Sequence, residues 1–168
     1  VTLDPLGLNQ FAPEPTAVPE AGNGKLMIFF GDSRAAAWPS PEVDHAVFVH
    51  RGVNGQTSAQ AALRYAVDTA PLRPDVVIVQ VGINDLRVIP ALGDDSTAVT
   101  AATAVNIRHI VEQAAAGGAI VVLTTIFPVQ TPPWQERMFW SEAVLTAVTA
   151  VNQDIRAQAT DRILVLDA

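Results

Sequence analysis

Three short stretches concentrate small, flexible and hydrogen-bonding residues: Gly31-Asp32-Ser33, Gly52-Val53-Asn54-Gly55-Gln56-Thr57-Ser58 and Gly82-Ile83-Asn84-Asp85. Ser33 carries a hydroxyl that becomes a nucleophile once a base takes its proton. At a turn from strand to helix it would also have unpaired backbone N–H groups beside it. The plainer reading makes Ser33 the cap of the helix that follows. Gly55 lets the backbone approach a bound group and aim its N–H at a developing negative oxygen; it equally suits an ordinary turn. Asn84 offers a neutral side-chain N–H donor, and equally suits an Asx-turn. Each signal is weak alone, but their concentration is what an oxyanion-binding site requires.

Such residues work only if a framework brings them together. Five apolar runs supply one, at residues 26–30, 46–49, 76–81, 119–123 and 163–166. They are rich in β-branched residues and lack polar alternation, which suits parallel strands covered on both faces. The first three runs end at the three polar stretches. Helical patterns separate most of the strands. One follows Ser58, read as its cap, with an apolar face of Ala62, Leu63, Ala66 and Val67. A long one carries Ile107, Ile110, Val111 and Ala114 and stops at Gly117-Gly118. A third carries Val144, Leu145, Val148, Val151 and Ile155. Between the first two strands Pro39 and Pro41 leave room for only a brief helix. The expected fold is α/β: a doubly wound, five-stranded parallel sheet with helices on both faces. Ligands bind such sheets outside the carboxyl ends of the strands, where the strand order reverses, and all three polar stretches belong there.

Composition narrows the chemistry. The chain has 168 residues, 10 Lys plus Arg and 17 Asp plus Glu, for a net charge of −7. An acidic chain without a basic run is a poor partner for nucleic acid or an anionic membrane. With 49% apolar and 16% charged residues it builds one sizeable core. The absence of cysteine removes disulfides, Cys-ligated metals and a thiol nucleophile. No apolar run is long enough for a transmembrane helix, and no signal-peptide pattern opens the chain. No His or carboxylate cluster has metal-ligand spacing. Gly22-x-Gly24 precedes a strand rather than following one, so it is no dinucleotide fingerprint. No cofactor and no metal are expected.

In order and in strand context, Gly31-Asp32-Ser33, the block around Gly55 and Gly82-Ile83-Asn84-Asp85 resemble the motifs of the SGNH (GDSL-type) hydrolases. The resemblance covers residues 25–168, and its fold is flavodoxin-like. It implies an esterase in which Ser33 is the nucleophile. The backbone N–H groups of Ser33 and Gly55 and the amide of Asn84 would form the oxyanion hole. Asp32 would brace the turn, and Asp85 the loop that presents Asn84. The substrates implied are small neutral esters, such as aryl or sugar acetates. A non-catalytic ligand-binding module that keeps the oxyanion pocket is the competing reading.

The chain departs from the family pattern twice. Arg34 stands where the family usually has an aliphatic residue; it either attracts an anionic acyl group or reaches solvent, and the second is the expectation. The family's general base is a histidine in a D-x-x-H block after the last strand. The sequence runs to Leu166-Asp167-Ala168 and holds no such block in this region, so a chain truncated before it is expected. His50, read as following the second strand, is the candidate surrogate base. Its bland alternative is a loop histidine bonded to the backbone. His109 is expected on the outer side of its helix, and His45 at the far edge of the sheet.

Residues 1–24 carry four prolines and read as an extended arm, or one packed over the domain through Leu6, Leu8 and Phe11. The segment from Ile126 to Trp134, with Met138, Phe139 and Trp140, either walls the pocket or staples the next helix to the core. Leu86-Arg87-Val88 is a further candidate wall. An apolar patch is expected beside the first and last strands, so the chain is expected to self-associate or to bind a separate C-terminal fragment.

Overall fold

β-branched runs and well-capped helices alternate along the chain. The computed structural model describes residues 4, 7, 10–11, 24–92, 95–127 and 141–167. Strand β1 (Lys25–Gly31) leads to the short helix α1 (Ser33–Ala37), then β2 (Ala46–Gly52), α2 (Ser58–Asp68) and β3 (Val76–Gln80). Two single-turn helices follow, α3 (Ile83–Leu86) and α4 (Ile89–Leu92), then the long α5 (Ser96–Ala116), β4 (Ile120–Thr124), α6 (Glu142–Ala157) and β5 (Ile163–Leu166). All the pairings are parallel, in the order β2-β1-β3-β4-β5. The order reverses between β1 and β3, which makes their carboxyl ends the expected ligand edge.

The helix ends follow local chemistry. α1 stops after one turn because Trp38 precedes Pro39 and is driven into an extended conformation (ψ 128°). α2 opens on a capping box in which Thr57 accepts from the Gln60 N–H and Gln60 reaches back to the Thr57 N–H. Thr57, not Ser58, is therefore the cap. α5 ends at Gly117 as expected.

Strand register sorts the side chains into two faces. Phe30, Val79 and Leu123 are buried on one face beneath α2, α5 and α6, where Phe30 meets the Tyr65 ring of α2 edge-on. Ile107, Ile110, Val111, Val144, Val151 and Ile155 complete that core. Each fully buried aliphatic side chain of this kind contributes about 1.5–3 kcal/mol. The other face carries His50, Phe29, Ile78, Val122 and Leu164 in register. Among the described residues α1 is the helix that packs there, through Trp38 stacked on Phe29. Towards β5 this face stays open: Ile120, Leu164 and Leu166 are 41%, 51% and 45% exposed.

α2 corrects the sequence reading in phase, though not in period. Leu63 and Val67 are exposed, while Ala61, Arg64, Tyr65 and Asp68 are buried. The inward stripe is spaced as a helix demands, but half of it is charged. In α6, Leu145 likewise faces outward, whereas Val144, Val148, Val151 and Ile155 are buried. Leu86 is fully buried in the core and is no pocket wall. Among the described residues no helix is long and apolar enough to cross a membrane.

Candidate active site

Gly31 is in register with Gly52 on one side and, across β3, with Gln80 on the other. The three polar stretches therefore leave three adjacent strands at one level. At Gly31 the backbone has φ 147°, and a Cβ there would lie 1.8 Å from the Gln80 carbonyl oxygen; only glycine can turn the chain out of the sheet at this point. The Asp32 N–H then donates to the Gln80 carbonyl (3.2 Å), and the Val53 N–H to the Gly31 carbonyl (3.0 Å).

Asp32, not Ser33, caps α1: its carboxylate accepts from the Arg34 N–H at 2.9 Å. Ser33 is the first helical residue and half-buried, so its hydroxyl is not spent on the cap. Asp32 is fully buried, and its second oxygen has no hydrogen-bond partner. Burial pushes its pKa up from 3.8 to about 6, against the opposing pull of the Arg34 N–H and guanidinium. Such a carboxyl holds its proton more tightly folded than unfolded. Stability therefore falls as pH rises from about 4 through 6 and stays low above, by up to about 3 kcal/mol. Asp32→Asn keeps the capping oxygen and removes the buried ionisation. It is expected to raise resistance to chemical denaturation at pH 7 by about 1–3 kcal/mol and to give no gain at pH 4. Equal loss at both pH values would refute this account.

The second and third stretches are tied to each other. Asn84 donates from Nδ2 to the Gln56 carbonyl at 2.9 Å. That bond uses one of its two amide hydrogens and fixes the direction of the other. Asp85 accepts from the Ser58 N–H (2.8 Å) and the Ser58 hydroxyl (2.6 Å), and Asn106 donates to the same hydroxyl. Burial raises the Asp85 pKa, although both Ser58 bonds pull the other way. Gly55 is exposed and left-handed, with φ 76°. A cavity of about 250 Å³ opens beside it, lined by Asp4 and Gly7 of the N-terminal arm and by Asn54, Gly55, Gln56 and Gln60.

His50 is not a loop residue beyond the second strand. It lies within β2, beside Phe29, and stacks on the Phe29 ring at 5.0 Å. Nδ1 bonds the Ala35 carbonyl (3.2 Å) and Nε2 the Ser40 hydroxyl (2.9 Å). A carbonyl only accepts, so Nδ1 carries the hydrogen, and in the neutral ring Nε2 accepts from Ser40. Both nitrogens are engaged by α1 and its following loop. His45 precedes β2, at the opposite end of that strand, and His109 is exposed on α5. Among the described residues no histidine is left to face Ser33.

Arg34 also departs from expectation. Instead of reaching solvent it is half-buried with its guanidinium 5.4 Å from the Phe127 ring, and its Nη1 is buried without a hydrogen-bond partner. Trp38 meets Phe127 edge-on at 5.5 Å. Phe127, in the segment after β4, thus touches both Arg34 of α1 and Trp38 at its end. Asn152 of α6 holds that segment by bonding both the N–H and the carbonyl of Ile126. The remaining residues read as pocket wall, Pro128–Trp134 and Met138–Trp140, lie outside the described residues, as do Leu6 and Leu8.

Sequence reasoning missed Arg64, Gln56, Asn106 and Asn152. Arg64 had a signal: it pairs with Asp68 four residues on, a spacing that puts both on one helix face. Both are fully buried, with Nη1 2.6 Å from the carboxylate. Among the described residues there is no His or carboxylate cluster able to hold a metal.

Known proteins share this architecture. A protein from Bacteroides fragilis NCTC 9343 assigned as an acylhydrolase superposes with a TM-score of 0.69 at 24% identity, over 99% of this chain and 78% of that one. A GDSL-like lipase from Bacteroides thetaiotaomicron VPI-5482 gives 0.68 at 21%, over 98% and 78%. Axe2, an acetylxylan esterase from Geobacillus stearothermophilus, gives 0.58 at 20%, over 83% and 75%. At these identities the likeness is one of fold. No curated protein gives a significant sequence match. The profile of the GDSL-like lipase/acylhydrolase family, however, matches residues 21–168. That match runs through all five strands and all three loops at the ligand edge, so the chain belongs to the GDSL-like lipase/acylhydrolase family and is a carboxylic ester hydrolase.

Proposed function

We propose that the chain hydrolyses small neutral carboxylic esters, aryl or sugar acetates, through an acyl-enzyme on Ser33. The observation that carries this reading is the junction of three loops at one sheet edge. A serine free of capping duty starts α1, while Asn84, its amide aimed by the Gln56 carbonyl, stands on the loop joined to Gly55's. In the reaction the Ser33 oxygen attacks the ester carbonyl and its proton passes to a base. The carbonyl oxygen becomes negative and is met by the N–H groups of Ser33, Gly55 and Asn84. Collapse of this tetrahedral species expels the alcohol and leaves the acyl group on Ser33, from which water releases it. Donors already in place gain most as charge develops on that oxygen, which is how they lower the barrier.

Two features support the substrate class. The Trp38 and Phe127 rings, in contact with each other and with Arg34 of the helix that Ser33 opens, would suit a short or aromatic acyl ester. The cavity next to Gly55 is lined in part by Asn54 and Gln60, whose side-chain amides can hydrogen-bond hydroxyls, so a sugar alcohol fits there as the leaving group. Asn84→Ala is expected to lower kcat on 4-nitrophenyl acetate about 10²-fold, as for other oxyanion donors. Wild type is expected to cleave 4-nitrophenyl acetate and acetylated xylose faster than 4-nitrophenyl dodecanoate. An Asn84→Ala rate equal to wild type would remove the oxyanion assignment, and a preference for dodecanoate would remove the substrate class.

A further inference from the structure

Gln56 follows Asn54 and Gly55, which are open to solvent, yet only 3% of it is exposed. Both ends of its side-chain amide are engaged. Oε1 accepts from Arg64 Nε at 2.9 Å, and Nε2 donates to the Gly7 carbonyl at 3.3 Å. Its backbone carbonyl receives the Asn84 amide. Arg64, itself fully buried, donates through Nη2 to the carbonyls of Gly31 (3.2 Å) and Arg51 (2.8 Å) and through Nη1 to Asp68. One guanidinium thus joins the carboxyl ends of β1 and β2 to the loop that holds Gly55. Its rigid planar fork suits several acceptors at once.

The N-terminal arm closes this arrangement from outside. Gly7 supplies the second bond to Gln56 across 49 residues of sequence, and the Phe11 ring lies 4.7 Å from the Arg51 guanidinium and 5.7 Å from that of Arg64. On the Cβ side of Gly55 the space is open: apart from its chain neighbours, nothing lies within 4 Å of where a Cβ would stand. The direction of its N–H is set by its neighbours, of which Val53 and Gln56 are the buried ones.

We propose that Gln56 is a positioning residue for the oxyanion hole, and that the contacts of Gly7 with it and of Phe11 with Arg51 and Arg64 are what hold the hole in its working geometry. This rests on the reading of Gly55 and Asn84 as oxyanion donors. The arm is then a working part of the site and not a linker. Its contribution falls on the transition state, because the donors it fixes bind charge that exists only there.

The test introduces Gly7→Val, Phe11→Ala and Gln56→Glu, with Ser33→Ala in parallel, into the chain continued past Ala168 through an Asp-x-x-His segment, so that a base is present. A Cβ at Gly7 would lie 3.0 Å from Gln56 Nε2 and 3.2 Å from Val53 Cγ1, at a φ of 63° that a branched residue resists. Gln56→Glu keeps the acceptor for Arg64 and loses the donor to Gly7. Each variant is expected to lower kcat on 4-nitrophenyl acetate about 10-fold with KM within twofold, a partial version of losing an oxyanion donor. Amide hydrogen exchange at Gln56, whose N–H bonds the Val53 carbonyl at 3.3 Å, is expected to quicken about 10-fold, while β1 and β3 keep their protection. Combining Gly7→Val with Gln56→Glu is expected to cost no more than either alone, since both break one contact. Unchanged kcat and exchange in Gly7→Val and Phe11→Ala would overturn the proposal. A rise in KM with kcat unchanged would also overturn it, by making the arm a substrate wall. Ser33→Ala, run in parallel, separates the two levels. If it matches wild type, the underlying reading falls; if it is inactive while the arm variants keep full kcat, only the positioning role falls.

Discussion

Replacing Ser33 with alanine is expected to remove the serine-dependent hydrolysis of an activated acetyl ester altogether. What remains is the rate that binding and the oxyanion donors supply by themselves, on the order of 10³–10⁴ over the reaction in water. The structure leaves Ser33 available for this role because Asp32 performs the capping that would otherwise occupy its hydroxyl. The substitution deletes one oxygen from a half-buried position and leaves the cap intact, so the fold is expected to be unaffected. A fluorophosphonate that labels wild type once per chain is expected to leave the alanine variant unlabelled. In a polypeptide continued past Ala168 through an Asp-x-x-His segment, equal ester hydrolysis by the parent and Ser33→Ala would end the nucleophile assignment.

The second large effect concerns the proton. A serine hydroxyl is a poor nucleophile until a base accepts its hydrogen. His50 cannot do so in this geometry: Nδ1 is bound to the Ala35 carbonyl, Nε2 to the Ser40 hydroxyl, and the ring is stacked on Phe29. We therefore expect a polypeptide continued past Ala168 through an Asp-x-x-His segment to exceed the 168-residue chain by about 10⁴ in kcat/KM on the same ester, the usual size of one missing member of such a triad. In the extended protein His50→Ala is expected to retain activity within a few fold. Strong hydrolysis by the 168-residue chain that vanishes in His50→Ala would reverse this conclusion and make His50 the base. A pH–rate profile gives an independent check. A histidine base in the extended protein makes kcat/KM rise with pH through the imidazole range.

Much of this was legible along the chain. Runs such as Val76-Val77-Ile78-Val79 admit few conformations other than a buried parallel strand, and the Gly-Gly stop after Ala116 marks a helix end. The sheet, its five strands and the gathering of Gly31-Asp32-Ser33, Gly55 and Asn84-Asp85 at one edge follow from such local signals, because strand polarity and right-handed crossovers leave little choice of topology. The chemistry of the ligand edge was readable for the same reason: small residues and neutral donors directly after strands have few other uses in such quantity.

The tertiary structure alone decided matters of phase, partner and direction. The period of α2 was plain, but which side faced inward depended on what the sheet offered. The open carbonyls of Gly31 and Arg51 and the amide of Gln56 turned Arg64 and Asp68 inward and left Leu63 and Val67 in water, against the hydrophobic ranking that governs most helices. Arg34 was drawn over Phe127, a residue 93 positions away, because a guanidinium gains more by stacking there than a local pattern can reveal. His50 has both ring nitrogens bonded because the Ala35 carbonyl and the Ser40 hydroxyl lie across from β2. Asn84 and Gln56, or Gly7 and Gln56, are strangers in sequence. Local propensity fixes where strands and helices begin and end, since it acts through neighbouring residues. Which hydrogen bonds a buried polar group makes is a long-range question, answered only when the sheet has brought its partners within 3 Å.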